Sequence, residues 1–157
     1  MPDNYGKNFE QKFKTDFLKT VPNSTIDRLY DPVGGFYSIK NICDFIGYSY
    51  PNIFYIECKT HKGTSIPLEN ITQYNKLVQK LGIKGVRVGV VLWLYEKYKV
   101  IYLPISTVKK LKDNNEKSFG IRHLENTEYP SLELPSVERR IFMDTDYSIL
   151  LNLDEGW

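Results

Sequence analysis

Two carboxylates and an ammonium group are spaced so that they could converge on one face of a sheet. Asp44 lies in the apolar stretch 42–47, and Glu57 and Lys59 lie in a second one, 53–60. Both stretches are rich in β-branched and aromatic residues, and the short turn between them contains a proline, which predicts a β-hairpin. Because side chains alternate along a strand, Glu57 and Lys59 share a face, and the hairpin can place Asp44 beside Glu57.

This set of groups predicts metal-dependent chemistry. Charges on an apolar sheet face are costly unless they are paired or bound to a metal. Oxygen ligands with a lysine nearby are what a Mg²⁺-dependent phosphodiester hydrolase needs. The alternative is a solvated Glu-x-Lys pair on an exposed strand, with no catalytic role. The strand is apolar on both faces up to Glu57, and Asp44 stands on the preceding strand, so the metal site is the favoured interpretation.

A first helix is predicted over residues 7–20. Its buried side is defined by apolar residues that repeat at helical spacing: Phe9, Phe13, Phe17 and Val21. Glu10 falls inside the same arc, which is unusual for a glutamate. Either Glu10 reaches solvent at the rim of the helix or caps a neighbour, or the helix packs on the sheet and Glu10 reaches the metal site.

The remaining pattern predicts an α-β-β-β-α-β-β-α order in a single domain, residues 1–157. After the first helix come strands at 25–30, 42–47 and 53–60, a helix at 69–81, strands at 86–95 and 99–103, and a short basic helix from 106. The helix between the Glu57 strand and the strand at 86–95 is a crossover, so those two strands should be parallel. The fold class is therefore α/β, with a mixed central sheet flanked by helices.

Composition narrows the function without fixing it. The chain has 157 residues, a net charge of +2, 41% hydrophobic and 25% charged residues, and so no global basic field. Its two cysteines, Cys43 and Cys58, are predicted to be reduced and buried, and its two histidines lack the spacing of metal ligands. With no membrane-length apolar run and no signal peptide, the sequence predicts a soluble, cytoplasmic protein.

Several motifs together resemble a known nuclease family. They are Gly6-Lys-Asn-Phe-Glu10, Asp44-Phe-Ile-Gly47, Phe54-Tyr-Ile-Glu-Cys-Lys-Thr60 and Ser65-Ile-Pro-Leu-Glu-Asn70. In these motifs the chain is similar to the PD-(D/E)XK nuclease superfamily. More narrowly, it resembles the RecU-type Holliday junction resolvases of Gram-positive bacteria and their phages. The resemblance covers most of the chain and implies a restriction-endonuclease-like fold.

The resemblance also implies roles for individual residues. Asp44, Glu57 and the Cys58 carbonyl would bind Mg²⁺, with Mn²⁺ able to substitute. Lys59 would orient or polarise the attacking water, and Glu10 would assist. Cleavage would leave a 5′-phosphate and a 3′-hydroxyl. Polar and basic side chains are assigned to DNA contacts: Arg28, Lys62, Asn75, Lys109, Lys110 and Lys112.

The function expected from this similarity is structure-selective cleavage of branched DNA. A homodimer would resolve four-way junctions by paired symmetric nicks. Family members carry a long β-stalk between the first strand and the aspartate strand, and residues 31–40 are too few for a full one, which predicts less strict selectivity. Two alternatives stay open: a nicking or sequence-preferring endonuclease of the same fold, and a non-catalytic architectural DNA-binding module.

Overall fold

A computed structural model of the chain describes residues 4–30, 41–154 and 157. The segment 31–40, on which the stalk argument depends, lies outside the described residues. The helices and strands follow in this order: α1 (Tyr5–Thr20), β1 (Ser24–Arg28), β2 (Phe45–Ser49), β3 (Asn52–His61), β4 (Ser65–Pro67), α2 (Tyr74–Leu77), β5 (Val86–Leu94), β6 (Lys99–Pro104), α3 (Ile105–Asp113), β7 (Ser118–Gly120), β8 (Leu132–Glu133), β9 (Ser136–Glu138) and β10 (Met143–Thr145). Short 3₁₀ helices occupy Leu68–Asn70, Val78–Lys80, Ile121–His123 and Ser148–Asn152.

The central sheet has six strands in the order β1-β2-β3-β5-β6-β8. β3 and β5 are parallel, and the other neighbours in this sheet are antiparallel. The predicted mixed α/β sheet is therefore confirmed, as is the parallel pairing across the crossover. β3, which carries Glu57 and Lys59, has a neighbour on each side, so its backbone polar groups are paired on both edges.

Two hydrophobic clusters cover the two faces of this sheet. α1 closes one face with Phe9, Phe13 and Phe17, each at most 3% exposed. α3 contributes Val108 and Leu111 to the cluster on the other face. The helical spacing of the α1 phenylalanines gives the helix an apolar stripe that only the sheet can bury. This packing fixes the position of the polar residues that flank the stripe.

Close contact between α1 and the hairpin depends on a glycine in β2. A Cβ atom at Gly47 would lie 3.3 Å from Phe17 Cζ and 3.4 Å from two Ile26 side-chain atoms. Such contacts are tighter than ordinary van der Waals packing, so a larger residue would push α1 away from the strands. Gly47 therefore keeps α1 close to the strands that hold the carboxylates.

The predicted helix over 69–81 is wrong in its continuity. A 3₁₀ turn at Leu68–Asn70 is followed by Ile71, whose φ of −86° and ψ of 75° leave the helical region, and α2 spans only Tyr74–Leu77. Asn70, Ile71 and the following Thr72 are poor helix formers because of their β-branched or short polar side chains. The continuous helix expected to carry Asn75 is therefore absent, and Asn75, which the sequence assigns to DNA contact, is exposed on the short α2.

Within the described residues, no helix is both long and apolar enough to cross a membrane.

Candidate active site

The β2–β3 hairpin places Asp44 next to Glu57. The antiparallel ladder ends at the pair Phe45 and Ile56, and Asp44 and Glu57 are the next residue on each side. Asp44 lies just before β2 instead of within the strand, and its Oδ2 accepts a 2.8 Å hydrogen bond from the Cys58 amide. The predicted convergence of the two carboxylates is confirmed.

Glu57 is a buried carboxylate that its surroundings do not fully satisfy. Its side chain is 7% exposed, Oε1 lies 3.6 Å from Lys59 Nζ, and Oε2 is buried with no hydrogen-bond partner. Burial, and then the negative charge of Asp44, raise the pKa of Glu57 to about 8. A buried oxygen without a partner carries a desolvation cost, which a ligand that supplies positive charge could remove.

Arg28 joins the helix to the hairpin at this point. Its Nε and Nη2 atoms each lie 3.0 Å from Glu10 Oε2, and Nη2 lies 3.6 Å from Asp44 Oδ1. Nη1 donates to the main-chain carbonyls of Asp44, at 3.2 Å, and of Leu29. The guanidinium therefore holds the α1 carboxylate beside the hairpin carboxylate. The sequence predicts a DNA contact for Arg28 and gives no sign of these ion pairs.

Glu10 lies at the edge of the buried stripe, with its side chain 24% exposed. Partial burial, and then the charge of Asp44, raise the pKa of Glu10, while the Arg28 guanidinium opposes this shift. The structure therefore brings Glu10 into the same electrostatic cluster as Asp44 and Lys59. This arrangement favours the site role of Glu10 over a role only in capping or packing.

The donor set suits a hard cation, with one restriction. Among the described residues, no three His, Cys, Asp or Glu side chains are grouped closely enough to hold a metal ion by themselves. Glu10, Asp44 and Glu57 thus do not form a three-carboxylate cage. Asp44, the unpartnered Oε2 of Glu57 and a main-chain carbonyl are oxygen donors, and Mg²⁺ is commonly bound by one or two carboxylates, water and substrate phosphates. The residues fit such an ion.

The two cysteines are free and buried, as predicted. They belong to different hydrophobic clusters, Cys58 on the α1 side of the sheet and Cys43 on the other. Burial, and then the charge of Glu57, raise the pKa of Cys43 to about 12. The thiol is therefore protonated at neutral pH and is a poor nucleophile and a poor metal ligand.

The residues assigned to DNA contact, other than Arg28, lie on the surface. Lys62 has a side chain that is 74% exposed and lies 3.8 Å from Glu96. In the α3 group, Lys109 forms a 2.6 Å ion pair with Asp113 and Lys112 lies over the Tyr74 ring at 4.6 Å. Lys110 and Asn75 are exposed. Accessible ammonium and amide groups of this kind can contact phosphates.

No protein-family model matches the sequence, and no curated protein matches it significantly. Among solved structures, the chain is similar to Archaeoglobus fulgidus Hjc, a Holliday junction resolvase from an archaeal hyperthermophile. The TM-score is 0.56 at 22% sequence identity, and the match covers 82% of this chain and 95% of the other. At this identity the similarity establishes the fold: the chain has the mixed α/β architecture of that protein.

Proposed function

We propose that the chain is a Mg²⁺-dependent, structure-selective DNA endonuclease that resolves four-way junctions. The observation that carries this proposal is the buried Glu57 carboxylate, which has one oxygen without a partner and lies beside Asp44 and Lys59. A purely structural sheet has little reason to keep such a group. The fold shared with an archaeal Holliday junction resolvase supports the choice of substrate.

Each residue of the cluster takes one role in this proposal. Asp44, Glu57 and the Cys58 carbonyl would hold Mg²⁺ or Mn²⁺, which, when bound, stabilises the negative charge that develops on the phosphate. The side chain of Lys59 is 26% exposed, so its ammonium can meet a water molecule and the scissile phosphate. Glu10 acts through Arg28, which positions it against Asp44. Hydrolysis would leave a 5′-phosphate.

The proposed working unit is a homodimer. A junction is resolved by two symmetric nicks, and each chain described here holds a single Asp44, Glu57 and Lys59 cluster. A twofold dimer presents two such clusters in the symmetry of a four-way junction. Selectivity would then come from the spacing of the two sites, which bent or branched DNA satisfies and straight duplex does not.

The direct test is incubation of the protein with end-labelled four-way, three-way and linear duplex DNA, with and without Mg²⁺. We expect Mg²⁺-dependent paired nicks in the four-way junction, weaker cleavage of other branched DNA and little cleavage of the duplex. Equal cleavage of duplex and junction would contradict the resolvase proposal and indicate a general or sequence-preferring nuclease. Binding without cleavage in Mg²⁺ or Mn²⁺ would indicate a non-catalytic, architectural DNA-binding module. Sedimentation of the free protein tests the dimer.

A further inference from the structure

A lysine ammonium lies over the ring of a tyrosine on the strand that carries Glu57. Lys80 Nζ is 5.5 Å from the centroid of the Tyr55 ring. Lys80 is the last residue of the 3₁₀ helix Val78–Lys80, and both it and Tyr55 are half-buried. None of the ion pairs among the described residues involves Lys80. The ring therefore positions the ammonium without neutralising its charge.

Tyr55 lies on the same face of the sheet as the proposed metal site. Because side chains alternate along a strand, Tyr55, Glu57 and Lys59 share one face of β3. Tyr55 packs on the hydrophobic cluster of the α3 side, whereas Cys58 belongs to the cluster of the α1 side. Two residues of a strand span about 7 Å. This face of β3 therefore presents the Lys80 ammonium, the Glu57 carboxylate and the Lys59 ammonium in that order.

The same face is covered on one side of β3 and open to solvent on the other. On the covered side, the β5 residues are at most 2% exposed beneath α2 and α3: Val88, Val90 and Leu92. On the open side, β1 and β2 present residues that are exposed and paired in register on this face: Thr25, Asp27 and Tyr48. Lys80 and Tyr55 therefore lie at the border of an accessible surface that continues to Glu57.

The charges along this border suit a chain of phosphates. With the scissile phosphate at Glu57 and Lys59, Lys80 supplies a further positive charge about 7 Å along β3. The Asp27 carboxylate on the open surface lies two strands from β3, about 10 Å away, so it does not neutralise Lys80. An ammonium already held against a ring loses less conformational freedom on binding an anion than a freely moving lysine does.

We propose that Lys80, positioned by the Tyr55 ring, binds a phosphate of the cleaved DNA strand next to the scissile phosphate. This inference rests on the proposed function, since it names a residue that holds the substrate beside the same site. The contact is made to the DNA backbone, so it carries no base preference. Lys80 is a positioning residue: it sets the register of the strand over Glu57 and Lys59 and takes no part in the chemistry.

The first measurement is the salt dependence of four-way junction binding, by fluorescence anisotropy in EDTA. Lys80→Gln removes one positive charge and should reduce the log–log salt slope by about 0.9, the value for one duplex phosphate. Between about 50 and about 200 mM salt, the wild type should lose about 3.5-fold more affinity than the variant. Lys80→Arg should keep the wild-type slope. So should the matched control Lys19→Gln, at an exposed lysine of α1, which covers the opposite face of the sheet.

The second measurement locates the contact with an uncharged methylphosphonate, placed in turn at each linkage around the branch point. At one position it should weaken binding by the wild type and leave binding by Lys80→Gln almost unchanged, because both changes remove the same interaction. Tyr55→Leu should reduce this position-specific effect, and Tyr55→Phe should keep it, because phenylalanine retains the ring. Circular dichroism checks that each variant is folded. An unchanged salt slope for Lys80→Gln, or phosphonates that weaken wild type and Lys80→Gln equally at every position, would overturn the contact.

Cleavage in Mg²⁺ separates this inference from the proposed function. Cleavage of the junction, with a salt slope that Lys80→Gln leaves unchanged, supports the nuclease and rejects the Lys80 contact. A position-specific phosphonate effect that Lys80→Gln abolishes, with no cleavage of any DNA in Mg²⁺ or Mn²⁺, rejects the nuclease and keeps Lys80 as a DNA contact. If both activities are found, the phosphate bound by Lys80 should adjoin the nicked one, and a remote position would overturn the positioning role.

Discussion

Glu57→Gln should make the metal-free protein more stable at alkaline pH. The folded-state pKa of Glu57 is raised above its ordinary value, so the folded state binds this proton more tightly than the unfolded chain does. As pH rises, the unfolded chain loses the proton first, and the free energy of unfolding falls until the folded carboxyl also ionises. Glutamine keeps the shape of the side chain and removes the ionisation.

The size of the effect follows from the burial of Glu57. A shift from 4.5 to about 8 is 3.5 pKa units. At about 1.36 kcal/mol per unit, the free energy of unfolding of the wild type should fall by at most about 5 kcal/mol between pH 4.5 and pH 8. The side chain is 7% exposed, so solvent screening reduces this little, although proton sharing with Asp44 does reduce it. Glu57→Gln should not show this pH-dependent decrease in the free energy of unfolding.

The assay is urea denaturation in EDTA at a series of pH values from 4.5 to 9, with Glu57→Gln compared with the wild type. The matched control is Glu69→Gln, at an exposed glutamate, whose pH dependence should follow the wild type. Adding Mg²⁺ at pH 8 should restore stability to the wild type and much less to Glu57→Gln, because a ligand stabilises only the state that binds it. If the free energies of unfolding of variant and wild type differ by a constant amount from pH 4.5 to 9, folding does not raise the pKa of Glu57.

Four further outcomes test the site. Asp44→Asn should abolish cleavage while junction binding persists in a gel-shift assay, because phosphate contacts come mainly from other surfaces; full activity would remove Asp44 from the metal site. Lys59→Ala should slow single-turnover cleavage about 10²–10³-fold, because the positive charge beside the phosphate is lost, and should leave the circular dichroism unchanged. If the variant is unfolded, its loss of activity would not support a catalytic role for Lys59. Glu10→Gln should lower the rate and shift the Mg²⁺ dependence, since Arg28 loses one of its two ion-pair partners and keeps only Asp44; wild-type kinetics across a Mg²⁺ titration would show that Glu10 only packs. Lys62→Ala and Lys110→Ala should each reduce the log–log salt slope of duplex-arm binding by about 0.9, the value for one phosphate contact; an unchanged slope would place the DNA elsewhere.

Local patterns predicted the parts of the site that lie within single elements. The phenylalanine spacing of α1 and the alternation along β3 are properties of one segment each, and both match the structure. The prediction of a continuous second helix was wrong because a pattern of apolar residues cannot show where the backbone leaves the helical region, as it does at Ile71. The short strand β4 was missed for a related reason: its three residues pair only with β7, which is distant along the chain.

The sequence by itself therefore determined that a hairpin carries Asp44 beside Glu57, and that Lys59 shares a strand face with Glu57. Periodicity and turn residues specify such arrangements over a few neighbouring positions. Only the tertiary structure decided that Arg28 joins Glu10 to Asp44, and that one oxygen of Glu57 is buried without a partner. The first depends on how α1 packs on the sheet and on the pairing of β1 with β2, where Arg28 is in register with Phe45. The second depends on the burial of the opposite face of the sheet, where Glu57 is in register with Val90. Burial and long-range pairing belong to the assembled fold, so no pattern along the chain could reveal them.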